Sequence, residues 1–175
     1  MSFFSIDVES DGPEPVNSSM IQLGAVLVDP DRKLNNTFYC ELRPHSDNYI
    51  QEALDVVGVT RQQTLEYPLP EIGMCDFVNW VVKNNVGKRA MFLSDNAGFD
   101  WMFVCSYIHT YTGYTNPFGY SSMSLTSLYK GFVRDTRKSF KHLRKTKHDH
   151  NPVNDAMGNA ESLLAMIDMG LKCKI

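Results

Sequence analysis

The chain opens with short segments in which apolar residues alternate with small or polar ones. Residues 3–8 alternate in this way, residues 21–28 are aliphatic and rich in β-branched side chains, and residues 37–42 alternate again. Such segments are typical of strands. Asp29-Pro30-Asp31 indicates a turn between the second and third of them. The simplest arrangement of these three strands is an antiparallel meander.

From Pro70 onward, helical spacing replaces the alternation. Phe77, Trp80 and Val81 recur with Ile72 at that spacing, which predicts a helix ending near residue 84. The later segments predicted are a buried strand at 90–93, a helix at 99–107, a loop with a further strand at 112–122, a helix at 125–132 and a last helix at about 154–169. The order βββ-α-β-α-β-α predicts an α/β fold with a mixed sheet between helices, and such sheets place their sites at strand ends.

Composition and length exclude several classes of protein. With 175 residues, 43% of them hydrophobic and 21% charged, residues 1–175 fit one globular domain. The longest apolar run, 23–28, is far shorter than the roughly 18 residues that a membrane helix needs. The first residues lack the basic segment of a secretory signal, so we expect a cytoplasmic protein without membrane contact. Four scattered cysteines predict neither a cysteine zinc site nor disulfides.

A cationic segment lies in the second half of a chain whose formal net charge is −3. Eight of the 17 basic residues fall between Lys130 and Lys147, and Asp135 is the acid among them. Such a segment can be a solvated helix face or loop, or it can bind phosphate. Charge alone favours the solvated face.

Two acids alternate on the first predicted strand. Asp7 and Glu9 are separated by one residue, so both side chains project from the same face, about 6.5 Å apart along the strand. Two such carboxylates can share divalent cations. Taken alone, the pair is better explained as the exposed polar face of a strand.

A further acid follows the buried strand at 90–93. Asp100 falls in the first turn of the next helix, where the helix dipole favours a negative side chain. The helix dipole alone therefore explains an acid at this position, without any functional site. Asp95, in the preceding turn, is either an alternative functional acid or part of the turn.

The entry to the last helix combines a histidine with an acid. Four residues separate His150 from Asp155, and Pro152 between them is expected to keep the loop extended before the helix begins. The imidazole can then reach a site that Asp155 helps to build. Without a site, Asn154 or Asp155 is a helix N-cap and His150 an exposed loop residue.

Taken in order, these segments resemble the motifs of the DEDDh exonucleases, the proofreading-type or DnaQ-like enzymes. The family's D-x-E, N-x-x-F-D and H-x4-D motifs are matched by Asp7-Val8-Glu9, by Asn96-Ala97-Gly98-Phe99-Asp100 and by His150 with Asp155. Residues 20–26 look similar to the family's second strand, and residues 52–54 with 58–60 look similar to its linker before the first long helix. The resemblance spans nearly the whole chain.

The resemblance implies a ribonuclease H-like fold, a mixed five-stranded sheet flanked by α-helices. It implies hydrolysis of phosphodiester bonds from the 3′ end of DNA or RNA, with release of 5′-mononucleotides. By the same resemblance, Asp7, Glu9 and Asp155 bind one metal ion, and Asp7 and Asp100 hold a second. Oxygen ligands without thiolate favour Mg²⁺ or Mn²⁺, and two ions roughly 4 Å apart stabilise the attacking and leaving oxygens. His150 fits the general base, because an unperturbed imidazole titrates at about pH 6.5.

A nucleic-acid substrate changes the interpretation of the cationic segment. Residues 130–147 come immediately before His150, so binding of a phosphate backbone becomes their favoured role. Candidate contacts to the terminal nucleotide are Ser10 and Asn96 through polar groups and Phe99, Trp101 and Tyr120 through aromatic stacking. The predicted partner is single-stranded or otherwise 3′-ended nucleic acid, and a homodimer is possible.

Three other functions are compatible with the same residues. The chain can be a proofreading or processing subunit of a larger nucleic-acid complex. It can be a non-catalytic nucleic-acid-binding module, although the intact motifs count against this. It can also be a phosphohydrolase that acts on a nucleotide or a cap.

Overall fold

The computed structural model describes residues 2–173 and residue 175. Along this part of the chain run five strands and six α-helices. The strands are β1 (Phe3–Ser10), β2 (Met20–Val28), β3 (Thr37–Glu41), β4 (Met91–Ser94) and β5 (Ser122–Ser124). The helices are α1 (Gln51–Val57), α2 (Arg61–Leu65), α3 (Pro70–Asn84), α4 (Ala97–Tyr111), α5 (Leu125–Val133) and α6 (Pro152–Asp168), with a 3₁₀ turn at Lys141–Leu143.

The strands form one mixed sheet in the order β3-β2-β1-β4-β5. β1 lies at the centre, antiparallel to β2 and parallel to β4, while β2 and β3 are antiparallel and β4 and β5 parallel. The predicted α/β fold and the predicted meander of the first three strands are therefore confirmed. No helix within the described residues has the length and apolar character that a membrane crossing requires, and the four cysteines are free thiols.

The two faces of β1 contribute to two different cores. Phe4, Ile6 and Val8 pack in the core that α3 and α4 cover, whereas Phe3 packs with the apolar residues of α6. Ser5 points toward α6 as Phe3 does, because its hydroxyl donates to a carbonyl oxygen of α6 at 2.8 Å. Side chains alternate along a strand. The odd-numbered acids of β1 therefore face α6.

Close approach of α6 to the sheet depends on Gly24. This residue pairs with Asp7 across the β1–β2 ladder. A Cβ atom on Gly24 would overlap with the backbone of Pro152 and Val153, so any side chain there would push the start of α6 away from the sheet. Glycine at this position brings the N-terminus of α6 next to Asp7.

Helix α6 begins two residues before its predicted start at Asn154. Asn151 caps it, because its side-chain oxygen accepts from the backbone N–H groups of Val153 and Asn154. Pro152 is then the first helical residue, a position where proline is favoured since no N–H is needed there. The residue before it, Asn151, is extended as predicted, but the predicted extended loop does not continue to His150, which lies at a bend with a φ of 60°.

Three other helices differ from the prediction. α4 begins at Ala97, two residues earlier than expected. α1 and α2 were not predicted as helices, and each buries one residue, Leu54 and Thr64 respectively. Helices so short present no repeating apolar stripe, which is the signal that identifies a helix in a sequence.

Candidate active site

Three of the predicted acids meet at one end of β1. One side-chain oxygen from each of Asp7, Glu9 and Asp155 lies within 4.8 Å of the other two. Asp7 and Glu9 are each 9% exposed and Asp155 is fully buried. The strand supplies the first two acids, and the first turn of α6 supplies the third. The structure thus joins the first and last motifs of the sequence in one cluster.

Two more acids border this cluster at the start of α4. Asp100 is 3% exposed, and its Oδ1 accepts a hydrogen bond from the backbone N–H of Val8 at 3.2 Å. Asp95, which the sequence leaves as an alternative acid, lies in the turn after β4. Its negative charge is one cause of the raised pKa values of Asp7 and Asp100. Five acids therefore surround the end of β1.

Burial and mutual repulsion raise the pKa values of these acids. Burial is the largest cause at Asp7, whose pKa is well above its usual value, and the charges of Asp100 and Glu9 add to it. Burial, with the charge of Asp155, raises the pKa of Glu9 to about 8. Burial, with the charge of Asp95, raises the pKa of Asp100 to about 7. Carboxyls that repel one another in a buried cleft are typical of a functional site, and a bound cation relieves the repulsion.

His150 lies beside the cluster at a bend of the backbone. Its φ of 60° is one that residues other than glycine seldom adopt. The backbone N–H of His150 donates to Oδ2 of Asp155 at 3.2 Å, and its Nδ1 is 3.8 Å from Oε1 of Glu9. The side chain is 40% exposed. The structure therefore brings the predicted general base to the edge of the acids, through this bend.

A second histidine, which the sequence motifs did not indicate, contacts the same acid. Nδ1 of His148 lies 2.6 Å from Oδ1 of Asp155, and the rings of His148 and His150 have centroids 4.4 Å apart. The only signal for it in the sequence is the presence of two histidines separated by one residue. The His148 side chain is 43% exposed.

Arg144 leaves the cationic segment and enters the site. Its side chain is 6% exposed, and Nη2 donates to Oδ1 of Asn159 at 2.6 Å. Nη1 lies 3.5 Å from Oδ1 of Asp155, and Nη2 lies 3.6 Å from Oδ2 of Asp95. The prediction that places this arginine in a surface strip is therefore wrong. It is a buried positive charge among the acids.

The residues around Arg144 dock the segment onto α6. The backbone N–H groups of Lys145 and Thr146 both donate to Glu161, at 2.8 and 2.7 Å. A Cβ atom on Gly158 would lie 3.0 Å from the carbonyl oxygen of Thr146 and 3.1 Å from Cδ of Arg144. A glycine and an acid on α6 therefore fix the path that leads the two histidines to the cluster.

An apolar groove leads to the acids from the side of α1. Glu9 and His150 lie at its acidic end, and its apolar wall is formed by Pro13, Ile50, Ala53, Val56 and Phe99. Ile50 is 45% exposed and Val56 55% exposed. Apolar side chains held open to solvent beside a charged cluster can receive a flat apolar group such as a nucleobase.

A buried ion pair supports this wall from behind. Nη1 of Arg61 donates to Oδ2 of Asp11 at 2.9 Å, and the two side chains are 15% and 0% exposed. The backbone carbonyl of Asp11 accepts from the N–H of Ile50 at 2.8 Å. Asp11 thus links the end of β1 to the start of α1.

Two of the five predicted nucleotide contacts line the groove, namely Ser10 and Phe99. The Ser10 hydroxyl donates within its own loop at 2.6 Å. Asn96 is exposed at the start of α4 and forms no side-chain hydrogen bond to that helix. Trp101 packs against a buried phenylalanine at 5.1 Å, and Tyr120 is 99% exposed in a separate pocket. The structure does not bring these last two aromatic residues to the groove.

Comparison with known proteins agrees with this geometry. No protein-family model matches the chain. The chain is 36% identical over 178 residues to the 3′-5′ DNA exonuclease Cap18 of Escherichia coli. The alignment covers 95% of this chain and 91% of that protein. The nuclease domain of 3′hExo, a DEDDh family member bound to rAMP, has a TM-score of 0.81 at 16% identity, over 99% of this chain and 95% of its own.

A second solved structure has the same fold. Cell-death related nuclease 4 (CRN-4) has a TM-score of 0.79 at 15% identity, over 97% of this chain and 64% of its own. Together with the first, this similarity confirms the predicted ribonuclease H-like arrangement of the sheet and helices.

Proposed function

The chain belongs to the DEDDh family of 3′-5′ exonucleases, and we propose that it removes nucleotides from the 3′ end of single-stranded DNA at the acidic cluster of β1 and α6. The observation that carries the proposal is the meeting of Asp7, Glu9 and Asp155 beside an exposed imidazole. DNA is favoured because the Escherichia coli relative is named a DNA exonuclease.

The acidic cluster fits divalent cations. Buried carboxylates are costly without a compensating charge. Oδ1 of Asp155 is buried and has no well-aligned hydrogen bond to any described residue, although His148 lies 2.6 Å away. We assign Asp7, Glu9 and Asp155 to one ion and Asp7 with Asp100 to a second, both Mg²⁺ or Mn²⁺ because the donors are oxygens. When bound, the ions would supply positive charge to the attacking and leaving oxygens of the phosphodiester.

His150 would accept the proton of the attacking water. Its ring lies at the mouth of the cluster, with Nδ1 3.8 Å from Glu9, and its 40% exposure lets the proton pass on to solvent. An imidazole can accept a proton near neutral pH. The hydrogen bond from the His150 N–H to Asp155 holds the bend that aims the ring.

The groove would hold the terminal nucleotide. Its base would rest on Ile50, Ala53 and Val56 with Phe99, since stacking and apolar contact do not depend on the base and suit an enzyme that degrades any sequence. The phosphodiester would then lie at Glu9 and His150. Hydrolysis there releases a 5′-mononucleotide.

The exposed part of the cationic segment is proposed to bind the phosphate backbone upstream of the 3′ end. Salt dependence of DNA binding would reflect the number of phosphates contacted. The basic residues that stay exposed are Arg134, Arg137, Lys138, Lys141, Lys145 and Lys147. A single exonuclease domain over residues 1–175, a homodimer and a cytoplasmic location stay predictions from the sequence.

DNA and RNA oligonucleotides of identical sequence test the substrate assignment. We expect kcat/KM with Mg²⁺ to be at least about tenfold higher for the DNA strand, roughly the discrimination that one well-placed pocket contact provides. Phe99→Ala should raise KM for both strands. Equal or faster degradation of RNA would contradict the choice of DNA and leave the family assignment intact.

A further inference from the structure

Two histidines and an acid form a second cluster next to the carboxylates. His148, His150 and Asp155 each offer a ligand atom, and the three atoms lie within 4.8 Å of one another. We propose that this cluster binds a transition metal of the zinc class and that the bound metal inhibits the exonuclease. The inhibitory part rests on the functions proposed above for His150 and Asp155.

The donor set distinguishes this cluster from the catalytic acids. Two imidazole nitrogens and one carboxylate are a common zinc ligand set, with the fourth position left for water. Mg²⁺ prefers oxygen ligands, and Mn²⁺ binds nitrogen-containing sites more weakly than Zn²⁺ does. Cysteine spacing provides no zinc site in this chain, whereas histidine spacing does.

Access and charge both favour an ion at this position. The His148 and His150 side chains are 43% and 40% exposed, so an ion reaches them from solvent without any opening of the fold. Arg144 opposes a cation, because its Nη1 lies 3.5 Å from Oδ1 of Asp155. The acids around it outnumber this one charge, and they are Asp7, Glu9, Asp95, Asp100 and Asp155.

Inhibition follows from the residues that the two clusters share. A nitrogen of His150 that binds a metal has no lone pair left to accept a proton from water. Asp155 would be shared with, or taken from, the first catalytic ion. Zinc would therefore slow hydrolysis even when DNA is saturating.

A simpler explanation of the His148 contact is an ion pair that orients Asp155 without any metal. The distance of 2.6 Å between Nδ1 and Oδ1 is compatible with this. The two explanations differ in one measurable respect. An ion pair alone leaves bound zinc on the carboxylates, where loss of His148 can still weaken it as an outer-shell partner, whereas a metal ligand places the zinc between the rings of His148 and His150.

Zinc binding to the metal-free protein, measured without DNA by calorimetry, tests the site directly. We expect His148→Ala to weaken zinc affinity by about tenfold or more, at least as much as the loss of an outer-shell partner. His142→Ala is the matched control, because its Nδ1 is engaged by a backbone carbonyl at 3.0 Å outside the cluster. Zinc soaked into crystals should give an anomalous peak between the rings of His148 and His150.

Equal zinc affinity in the His148→Ala variant, or a peak confined to the carboxylates of Asp7 and Glu9, would overturn the site. Because no substrate is present, these results do not depend on the exonuclease assignment.

Zinc titrated into the Mg²⁺-dependent reaction on DNA tests the inhibition, with each variant normalised to its own rate without zinc. The zinc concentration for half inhibition should rise about tenfold or more in His148→Ala and stay within twofold in His142→Ala. Tight zinc binding without inhibition would overturn the inhibitory part. Absence of hydrolysis by the wild-type protein would instead contradict the exonuclease function.

Discussion

Replacing Glu9 with glutamine removes one ionisable group from a buried cluster of acids. Burial, with the charges of Asp155 and Asp100, raises the pKa of Glu9 from 4.5 to about 8. A carboxyl with a higher pKa in the folded protein holds its proton more tightly there than in the unfolded chain. The stabilisation of the folded protein by this tightly held proton is fully present below pH 4.5 and is lost as the pH rises through 8. The metal-free protein should therefore lose stability across this range.

The size of the effect follows from the pKa of Glu9. One pKa unit corresponds to about 1.4 kcal/mol, so the full change sets an upper bound of roughly 4 to 5 kcal/mol. The charge of Glu9 is also one cause of the raised pKa of Asp7, and a neutral side chain at position 9 removes that repulsion. We expect Glu9→Gln to reduce the change in the free energy of unfolding with pH by roughly 2 to 3 kcal/mol.

Urea unfolding in EDTA at pH 5.5 and pH 8.5 measures this difference. The wild-type free energy of unfolding should fall between the two pH values, and that of Glu9→Gln should fall by roughly 2 to 3 kcal/mol less. Glu66→Gln, at an exposed position, should follow the wild type. Saturating Mg²⁺ at pH 8.5 should stabilise the wild type more than Glu9→Gln. Identical pH dependence in Glu9→Gln and the wild type would refute the reasoning.

Three other substitutions test separate parts of the site. His150→Ala should lower turnover by about 10² to 10⁴ with Mg²⁺ affinity nearly unchanged, and calorimetry that shows loss of Mg²⁺ binding would make it a ligand instead. Arg144→Gln should destabilise the fold by about 3 kcal/mol because it leaves buried acids unpaired, whereas Arg137→Gln, 89% exposed, should unfold like the wild type in urea. Gly24→Ala should cost about 1 to 3 kcal/mol and reduce activity by displacing α6. In its control, Gly131→Ala, the added Cβ atom meets no atom within 4 Å, and the free energy of unfolding should rise by up to about 1 kcal/mol. Equal stability of the two variants would contradict the proposed close approach of α6 to the sheet.

The first four strands and the pairing of the first two acids could be predicted from the sequence because both depend on local periodicity, whereas β5 lies at Ser122–Ser124, at the very end of the segment 112–122 predicted to hold it. Alternation along β1 places Asp7 and Glu9 on one face wherever that strand lies. The approach of Asp155 could not be predicted in this way. It depends on the contact between Gly24 and the backbone of α6, two segments more than 100 residues apart in sequence.

The cationic segment shows the same limit. Its basic residues look alike in sequence, and charge alone does not indicate which one is buried. Arg144 is buried because Gly158 leaves room for its stem and Asn159 accepts from its guanidinium. His148 contacts Asp155 because this docking fixes the path of the chain before the bend at His150. Such contacts join side chains on different elements, and the spacing of residues along the chain does not predict them.

Digestion of a 5′-labelled single-stranded DNA by the wild-type protein and by Asp7→Asn tests the central claim most directly. With Mg²⁺ the wild type should shorten the strand one nucleotide at a time from its 3′ end and release 5′-mononucleotides. Asp7→Asn, similar in shape and folded by circular dichroism, should form no more product than the wild type in EDTA. Full activity of Asp7→Asn, or immediate release of the 5′ label, would contradict the account.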